Sequence, residues 1–325
     1  MPKLSSLSQV NNISIEKAID THPTLKSPDI PKEENGIQFF GGKCTIRVAN
    51  QLGLRQKAYK LIYNNYSEMG IAQDKSTDLW LSIYDALPET TTLVAEDSKG
   101  EIGGALTLVF NSPIGLPADE LYNKEIDKLR DAREKICEFV SLSIKNNGKN
   151  SAKLLAGLFY CGFLYARQKE NSIVSIITIH SRYEKFYCRN FSFEKMGPER
   201  NYAKVNGAPT VLLKVSFNRL NRLRHQRRIF PFYMLKYSDS EELEIVKTIE
   251  NLTSSMSDEE FFTFFIEKTD IWEKASPQQK NFIKKIYPTD EANHYEVSRA
   301  LARAFSKNNT NTDDNRNNPA KIAQQ

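Results

Sequence analysis

The chain has 325 residues, 45 basic and 40 acidic side chains, a formal charge of +5, and 40% hydrophobic residues. That length predicts two domains, or one large domain with extensions, and the apolar share is ample for a core. The charge is uneven. Residues 218–236 carry Arg219, Arg222, Arg224, Arg227, Arg228 and Lys236 with no acid, so removing those six charges from +5 leaves −1 for the rest. This excludes a nucleic-acid coat spread over the surface and points to one basic docking patch. The longest apolar stretch, about Leu154 to Ala166, stops at Arg167. It falls short of the ~20 residues a bilayer span needs, which leaves only contact with a membrane surface open. No basic region followed by an apolar run marks a secretory signal. Cys44, Cys137, Cys161 and Cys188 form no C-x-x-C pair, and His22, His180, His225 and His294 lie far apart. A reduced, cytoplasmic, metal-free protein is expected.

Residues 1–42 mix Ser, Asn, Lys and Glu with Pro23, Pro28 and Pro31, which predicts a disordered leader. A strand is expected near Cys44–Val48. A helix carrying Leu54, Ala58, Leu61, Ile62 and Met69 at helical spacing follows, and Gly70 stops it. Thr91–Ala95 and Ile102–Phe110 read as a hairpin turned at Gly100, with Gly103-Gly104 marking a bulge rather than a phosphate cradle. Leu116–Arg133 is irregularly helical. Ile136–Ile144 alternates like a strand, with Ile136, Glu138, Val140, Leu142 and Ile144 on one face and Cys137, Phe139, Ser141 and Ser143 on the other. A helix near Ser151–Lys169 turns Leu154, Leu155, Leu158, Phe159 and Phe163 inward, and Ile173–Ile179 reads as a strand covered on both faces. A short helix at Tyr183–Arg189 and strands near Phe191–Lys195 and Thr210–Phe217 complete a mixed α/β layer over residues 43–217. A basic linker at 218–236 leads to a helical extension over 237–305. Its expected helices are Glu241–Leu252, Ser257–Thr269 (Ser257 and Glu260 as a capping box), Pro277–Ile286 and Glu291–Phe305, ahead of a disordered tail at 306–325.

The common catalytic signatures, G-x-S-x-G, the P-loop, H-E-x-x-H and G-x-G-x-x-G, are absent from the sequence. Glu138 is the sharpest anomaly, a carboxylate on the apolar face of a central strand. Desolvation there raises a carboxyl toward the range of a general base. The structural alternative is a strand end where Glu138 reaches solvent or a lysine. Tyr187 beside Phe186 is a second candidate, against the alternative of a packed Tyr with one hydrogen bond. The Cys137 thiol points away from Glu138 and has no histidine near it in sequence, which argues against a nucleophile. The Arg219–Arg228 stretch, with Phe230, Phe232 and Tyr233 beside it, suits an acidic protein partner better than nucleic acid.

Several strings, in order, resemble those of one family. They are Ala58-Tyr59-Lys60-Leu61-Ile62-Tyr63, Thr92-Leu93-Val94-Ala95-Glu96-Asp97, Ile102-Gly103-Gly104-Ala105-Leu106, Leu116-Pro117-Ala118-Asp119-Glu120 and Glu138-Phe139-Val140-Ser141-Leu142-Ser143-Ile144. His180-Ser181-Arg182-Tyr183-Glu184-Lys185-Phe186-Tyr187, Phe193-Glu194-Lys195-Met196-Gly197-Pro198, Tyr202 and Ala208-Pro209-Thr210-Val211-Leu212-Leu213 continue the series. Residues 45–217 thus resemble a GNAT-type acyltransferase, and more narrowly the FeeM-type long-chain N-acyl amino acid synthases, relatives of the acyl-homoserine-lactone synthases.

The resemblance implies an α/β fold, a GNAT-like (acyl-CoA N-acyltransferase-type) mixed sheet flanked by helices, with an all-helical C-terminal extension. It implies an N-acyltransferase that moves a long-chain fatty acyl group to the amino group of an amino acid or similar amine, with no cofactor. Glu138 would accept the ammonium proton and Tyr187 would protonate the leaving thiolate. Val140, Leu142, Ser143 and Ile144 would bind the acyl-pantetheine arm and the oxyanion. The family carries arginines where this chain has Ile62, Thr107 and Ser141, and Asn147-Gly148-Lys149-Asn150 holds one glycine where CoA-dependent enzymes have a Gly-rich turn. The missing arginines remove the bidentate cations that would hold a carboxylate or the donor's phosphate arm, and so support a non-catalytic alternative. The single glycine favours acyl carrier protein over CoA as donor, docked by Arg219, Arg222, Arg224, Arg227 and Arg228. Two alternatives stand beside this expectation: a GNAT-fold effector or binding module that has lost catalysis, and a CoA-dependent N-acetyltransferase.

Overall fold

The computed structural model describes residues 36–39, 44–72, 77–97, 99–145, 151–169, 173–224, 231, 239–250 and 255–288. Most of the expected leader, the tail, the helix at Glu291–Phe305 and the loop Asn147–Asn150 lie outside the described residues. The sheet begins earlier than the expected boundary at residue 43. β1 (Ile37–Phe39) is its edge, with Ile37 and Phe39 buried, and pairs antiparallel with β2 (Cys44–Val48). The order then runs through β3 (Thr91–Asp97), β4 (Ile102–Phe110), β5 (Lys135–Ile144), β6 (Ile173–His180), β9 (Ala208–Ser216) and β7 (Glu194–Lys195), with β8 (Arg200–Tyr202) also pairing β9. Among these nine strands only β5 and β6 run parallel.

α3 (Ser151–Lys169) covers one face. Its residues from Leu154 to Ala166 are all buried, as a helix of nearly continuous apolar sequence requires. Together with α4 (Glu184–Phe191) it builds a core with Leu93, Leu106, Leu108, Phe139, Ile177 and Phe193. The other face carries α1 (Leu52–Glu68) and α2 (Asp119–Asp131), packed on Val109, Ile136, Val174, Ile176 and Leu212. At Gly103 the ladder slips, since Ala95 pairs Gly104 while Glu96 pairs Ile102, so the glycine pair does mark a bulge. A methyl at Gly104 would stand 2.7 Å from Ile144 Cδ1 and 3.0 Å from Leu158 Cδ1, so any larger residue there would require those side-chain ends to shift.

The alternation expected for β5 holds only to Val140. Two residues of β5, Ser141 and Leu142, stand opposite the single Leu106 of β4, and Ser141 adopts φ +54°. One extra residue reverses the parity of everything after it. Leu142 and Ile144 therefore join the α3 face, while Val140 stays on the α1 face and Ser143 turns to α1, where its hydroxyl accepts from Asn65 Nδ2 at 2.6 Å.

The described C-terminal helices pack on the α/β layer. α5 (Phe217–Arg224) follows β9 directly, and α6 (Asp239–Glu250) lies on α3, where Tyr160 donates to Glu242 at 2.9 Å. α7 (Asp258–Phe261), continued by a π-helical turn at Phe262–Glu267, then α8 (Ile271–Lys274) and α9 (Pro277–Ile283), pack on the opposite face. The Ser257/Glu260 capping box is formed, and Glu260 also accepts from buried Arg55 of α1 at 3.3 Å. Phe261 stacks on Tyr287, whose hydroxyl donates to the Ala86 carbonyl at 2.8 Å.

Candidate active site

The sheet opens in its centre. β5 and β6 pair from Lys135↔Ile173 to Glu138↔Ile176 and no further, although β5 stays paired with β4 to Ile144 and β6 with β9 to His180. The two parallel strands therefore separate beyond Glu138. Their facing backbone edges make no ladder bonds with each other, so they are able to bond an extended ligand inserted between them.

Glu138 sits at the vertex of this wedge. It is 2% exposed, so the alternative of a solvated strand end does not apply. Its Oε2 accepts from the Ala118 backbone N–H at 2.8 Å, from the turn that opens α2. Burial, with Asp119 adding to it, pushes the carboxyl up to about 8, against the lowering effects of the Ala118 N–H, Lys204 and Thr178. The Thr178 hydroxyl, on the same face, lies beside the carboxyl but has no well-formed hydrogen bond among the described residues. Tyr84 and Tyr202 also sense the Glu138 charge, and burial raises both phenols, Tyr84 to about 12, so both are neutral at physiological pH.

Tyr187 lies on the other face of the wedge, ringed by Phe159, Phe186, Phe191 and Phe193 at centroid distances of 5.3–6.1 Å. Burial holds its phenol well above the ordinary value, with Tyr66 and Tyr183 adding to the effect, so it keeps its proton. Tyr66 of α1 reaches the same region and its hydroxyl lies 3.5 Å from the Leu142 carbonyl in the wedge wall. Glu138 and Tyr187 thus lie on opposite faces of the sheet, one able to accept a proton and one able to donate.

The remaining expected site residues divide. Val140 shares the Glu138 side, Leu142 and Ile144 the aromatic side, and Ser143 is bonded to α1. Ile62 and Thr107 are sealed in the core, the latter bonded to Thr92 at 2.9 Å, so neither presents a charge to the wedge. Cys137 points to the α3 face, fully buried with its thiol raised far up by desolvation, which fits no nucleophilic role. In the basic stretch Arg219 braces the domain through Glu194 at 2.7 Å and the Ser192 carbonyl, while Arg222 is exposed on α5. The Arg224 side chain, Arg227, Arg228, Phe230, Phe232 and Tyr233 lie outside the described residues. Sequence reasoning missed Thr178, Tyr84 and Tyr66. Ala118 and Tyr202 stood in the family-like strings without a role.

A mixed sheet with its central parallel pair splayed, and a buried carboxyl at the vertex, is the arrangement that the resemblance to GNAT-type acyltransferases implies. Residues 57–216 match the family model described as N-acyl amino acid synthase FeeM, and over that stretch the chain is similar to this acyltransferase family. Among solved structures the chain is similar to FeeM, an N-acyl amino acid synthase from uncultured soil microbes, at 22% identity. That match covers 56% of this chain and 93% of that one, with a TM-score of 0.49. It is also similar to the AHL synthase LasI at 14% identity, covering 53% and 89%, with a TM-score of 0.39. A CoA-dependent acyl-homoserine lactone synthase, BjaI, with SAM and isopentyl-CoA, is similar at 12% identity, covering 56% and 87%, with a TM-score of 0.40. No curated protein matches the chain. Among the described residues no helix is long and apolar enough to cross a membrane.

Proposed function

We propose that this acyltransferase moves a long-chain fatty acyl group from acyl carrier protein to the amino group of an amino acid or similar small amine. The observation that carries the reading is Glu138, a carboxyl buried to 2% exposure at the vertex of the β5/β6 wedge and raised to about 8. A thioester is already activated. The enzyme needs to orient it, deprotonate the incoming ammonium and stabilise the tetrahedral oxyanion. In this reading the pantetheine arm lies between β5 and β6, bonding their backbone edges. Glu138, ionised, takes the ammonium proton. The freed amine attacks the thioester carbonyl, a backbone N–H of the bulged β5 segment stabilises the oxyanion, and the neutral Tyr187 phenol gives its proton to the departing thiolate. A base near 8 is matched to an ammonium that titrates slightly higher.

The exposed Arg222, with the arginines that follow it, supports docking of an acidic carrier, and the four unpaired cysteines support a reducing, cytoplasmic setting. Purified protein mixed with long-chain acyl carrier protein tests the proposal by thiol release. Release that depends on added amine is expected. The absence of amine-dependent release from any acyl thioester contradicts the proposal.

A further inference from the structure

The turn that holds Glu138 is braced from beyond residue 216, where the family match ends. The Ala118 N–H, which donates to the Glu138 carboxyl at 2.8 Å, belongs to the turn from Ser112 to Asp119. Within that turn the Gly115 N–H donates to the Ser112 carbonyl at 2.9 Å, and Asp119 accepts from the Leu116 N–H at 2.7 Å. Two further bonds reach it from other elements. Tyr84, on the 3₁₀ turn Ile83–Ala86, donates to the Leu116 carbonyl at 3.2 Å, two residues before Ala118. Gln278 of α9 donates to the Pro113 carbonyl at 3.2 Å. The adjacent Gln279 accepts from the Ser276 N–H at 2.9 Å, and its side chain also bonds the Tyr84 phenol. Leu116 and Ala118 are buried in the same cluster as Phe264 and Ile283 of the C-terminal helices.

The path from α9 to the carboxyl therefore runs through Gln279, Tyr84, Leu116 and Ala118, each step a hydrogen bond or a short stretch of backbone. We propose that Tyr84 and Gln279 are positioning residues, through which the C-terminal helices hold the Ala118 N–H against Glu138 and complete the acyl-transfer site. This rests on the proton-accepting role given to Glu138 above and deepens it. An N–H bonded to a carboxylate favours the ionised form. Loosening the turn weakens that bond, so Glu138 would ionise at higher pH. The other groups that act on Glu138 or sense its charge are Asp119, Lys204, Thr178, Tyr202 and the neighbouring Cys137. Tyr84→Phe and Gln279→Met leave all five in place, and neither variant removes a charge, since Tyr84 is neutral at physiological pH.

The test follows the Ala118 amide resonance of the full chain, labelled with isotopic alanine, as pH is raised. In the wild type it should titrate with Glu138, at about 8. Tyr84→Phe and Gln279→Met should each move that midpoint upward by ~0.5–1 unit, part of what a hydrogen bond to a charged group is worth. In amine-dependent thiol release from a long-chain acyl-pantetheine, kcat/KM should fall ~3–10-fold at pH 7 and recover above the shifted midpoint. Thr269→Val separates this effect from a loss of stability. The Thr269 hydroxyl donates to the Phe264 carbonyl at 2.7 Å inside the C-terminal region, so this variant should melt lower with an unmoved midpoint. If Tyr84→Phe fails to fold, Gln279→Met decides alone. A midpoint that stays at the wild-type value in the folded variants, or a rate loss that persists at high pH, overturns the inference and leaves the Glu138 reading standing. An Ala118 resonance that does not titrate in the wild type overturns the raised carboxyl itself, and this inference with it.

Discussion

Glu138→Gln keeps the shape of the side chain and the contact with the Ala118 N–H, and removes only the ability to ionise. Burial moves the wild-type carboxyl from an ordinary 4.5 to about 8. Ionising it in the folded protein therefore costs about 5 kcal/mol at most, at roughly 1.4 kcal/mol for each pH unit of displacement. Because the folded value is raised, this stability is fully present below pH 4.5 and is lost as pH rises through 8. The glutamine variant should match the wild type in urea denaturation near pH 4 and exceed it above pH 8. Catalysis should move oppositely. Wild-type kcat/KM should climb about tenfold per pH unit below 8 and level off above it, while the variant loses ~10²–10⁴-fold and its residual activity follows no such titration. Stopped thiol-release assays at saturating acyl thioester, paired with denaturation across pH 4–9, read both effects. Near-wild-type turnover in the variant would refute the base assignment. An unchanged stability difference between pH 4 and 9 would refute the raised carboxyl on which it rests.

Reversing Arg222, Arg224 and Arg228 to glutamate should slow transfer from carrier-bound acyl groups and spare transfer from acyl-pantetheine. The wild-type carrier reaction should also weaken with salt, since such steering is screened beyond ~8 Å at physiological ionic strength. Equal loss with both donors would make the stretch a structural brace, as Arg219 already is. Long acyl donors should be preferred, each buried methylene contributing about 0.8 kcal/mol or roughly fourfold. Equal kcat/KM for acetyl and long-chain thioesters contradicts this. Glu260→Ala should lower stability by ~3 kcal/mol in urea denaturation, because it removes a helix cap and leaves Arg55, 2% exposed, without one carboxylate partner. An unchanged midpoint would show that α7 is not latched through Arg55.

The sheet was legible where local pattern and tertiary environment agree. Cys44–Val48 and Ile102–Phe110 form over the residues expected, and Ile173–His180 extends the expected strand by one, because apolar runs bounded by glycine or polar turns have few other uses. β1 and β8 were missed, since three-residue strands carry no period. Trp272 in α8 was missed because its burial against Phe261 depends on contacts made outside that four-residue helix. The reversal after Ser141 was invisible, as a bulge needs only one residue with φ +54° and leaves the alternation of the sequence intact. For that reason Val140 fell on the opposite side from Leu142 and Ile144. Glu138 stood out because a carboxylate among apolar neighbours is costly unless it is used or paired. Its surroundings did not stand out, because Ala118, Thr178, Tyr84 and Tyr202 reach it from four separate elements and no spacing links them.

The central claim, an acyl group moved onto an amine through Glu138, is tested most directly by mass spectrometry of lipid extracts. Three strains are compared: one expressing the wild-type chain, one expressing Glu138→Gln, and one with no expressed chain. The account predicts N-acylated amines or amino acids with long acyl chains in the wild-type extract, reduced at least ~10²-fold in the glutamine strain at equal protein level and absent from the control. Equal abundance of those products in the wild-type and glutamine strains, or their absence from all three while purified protein remains folded, would contradict it.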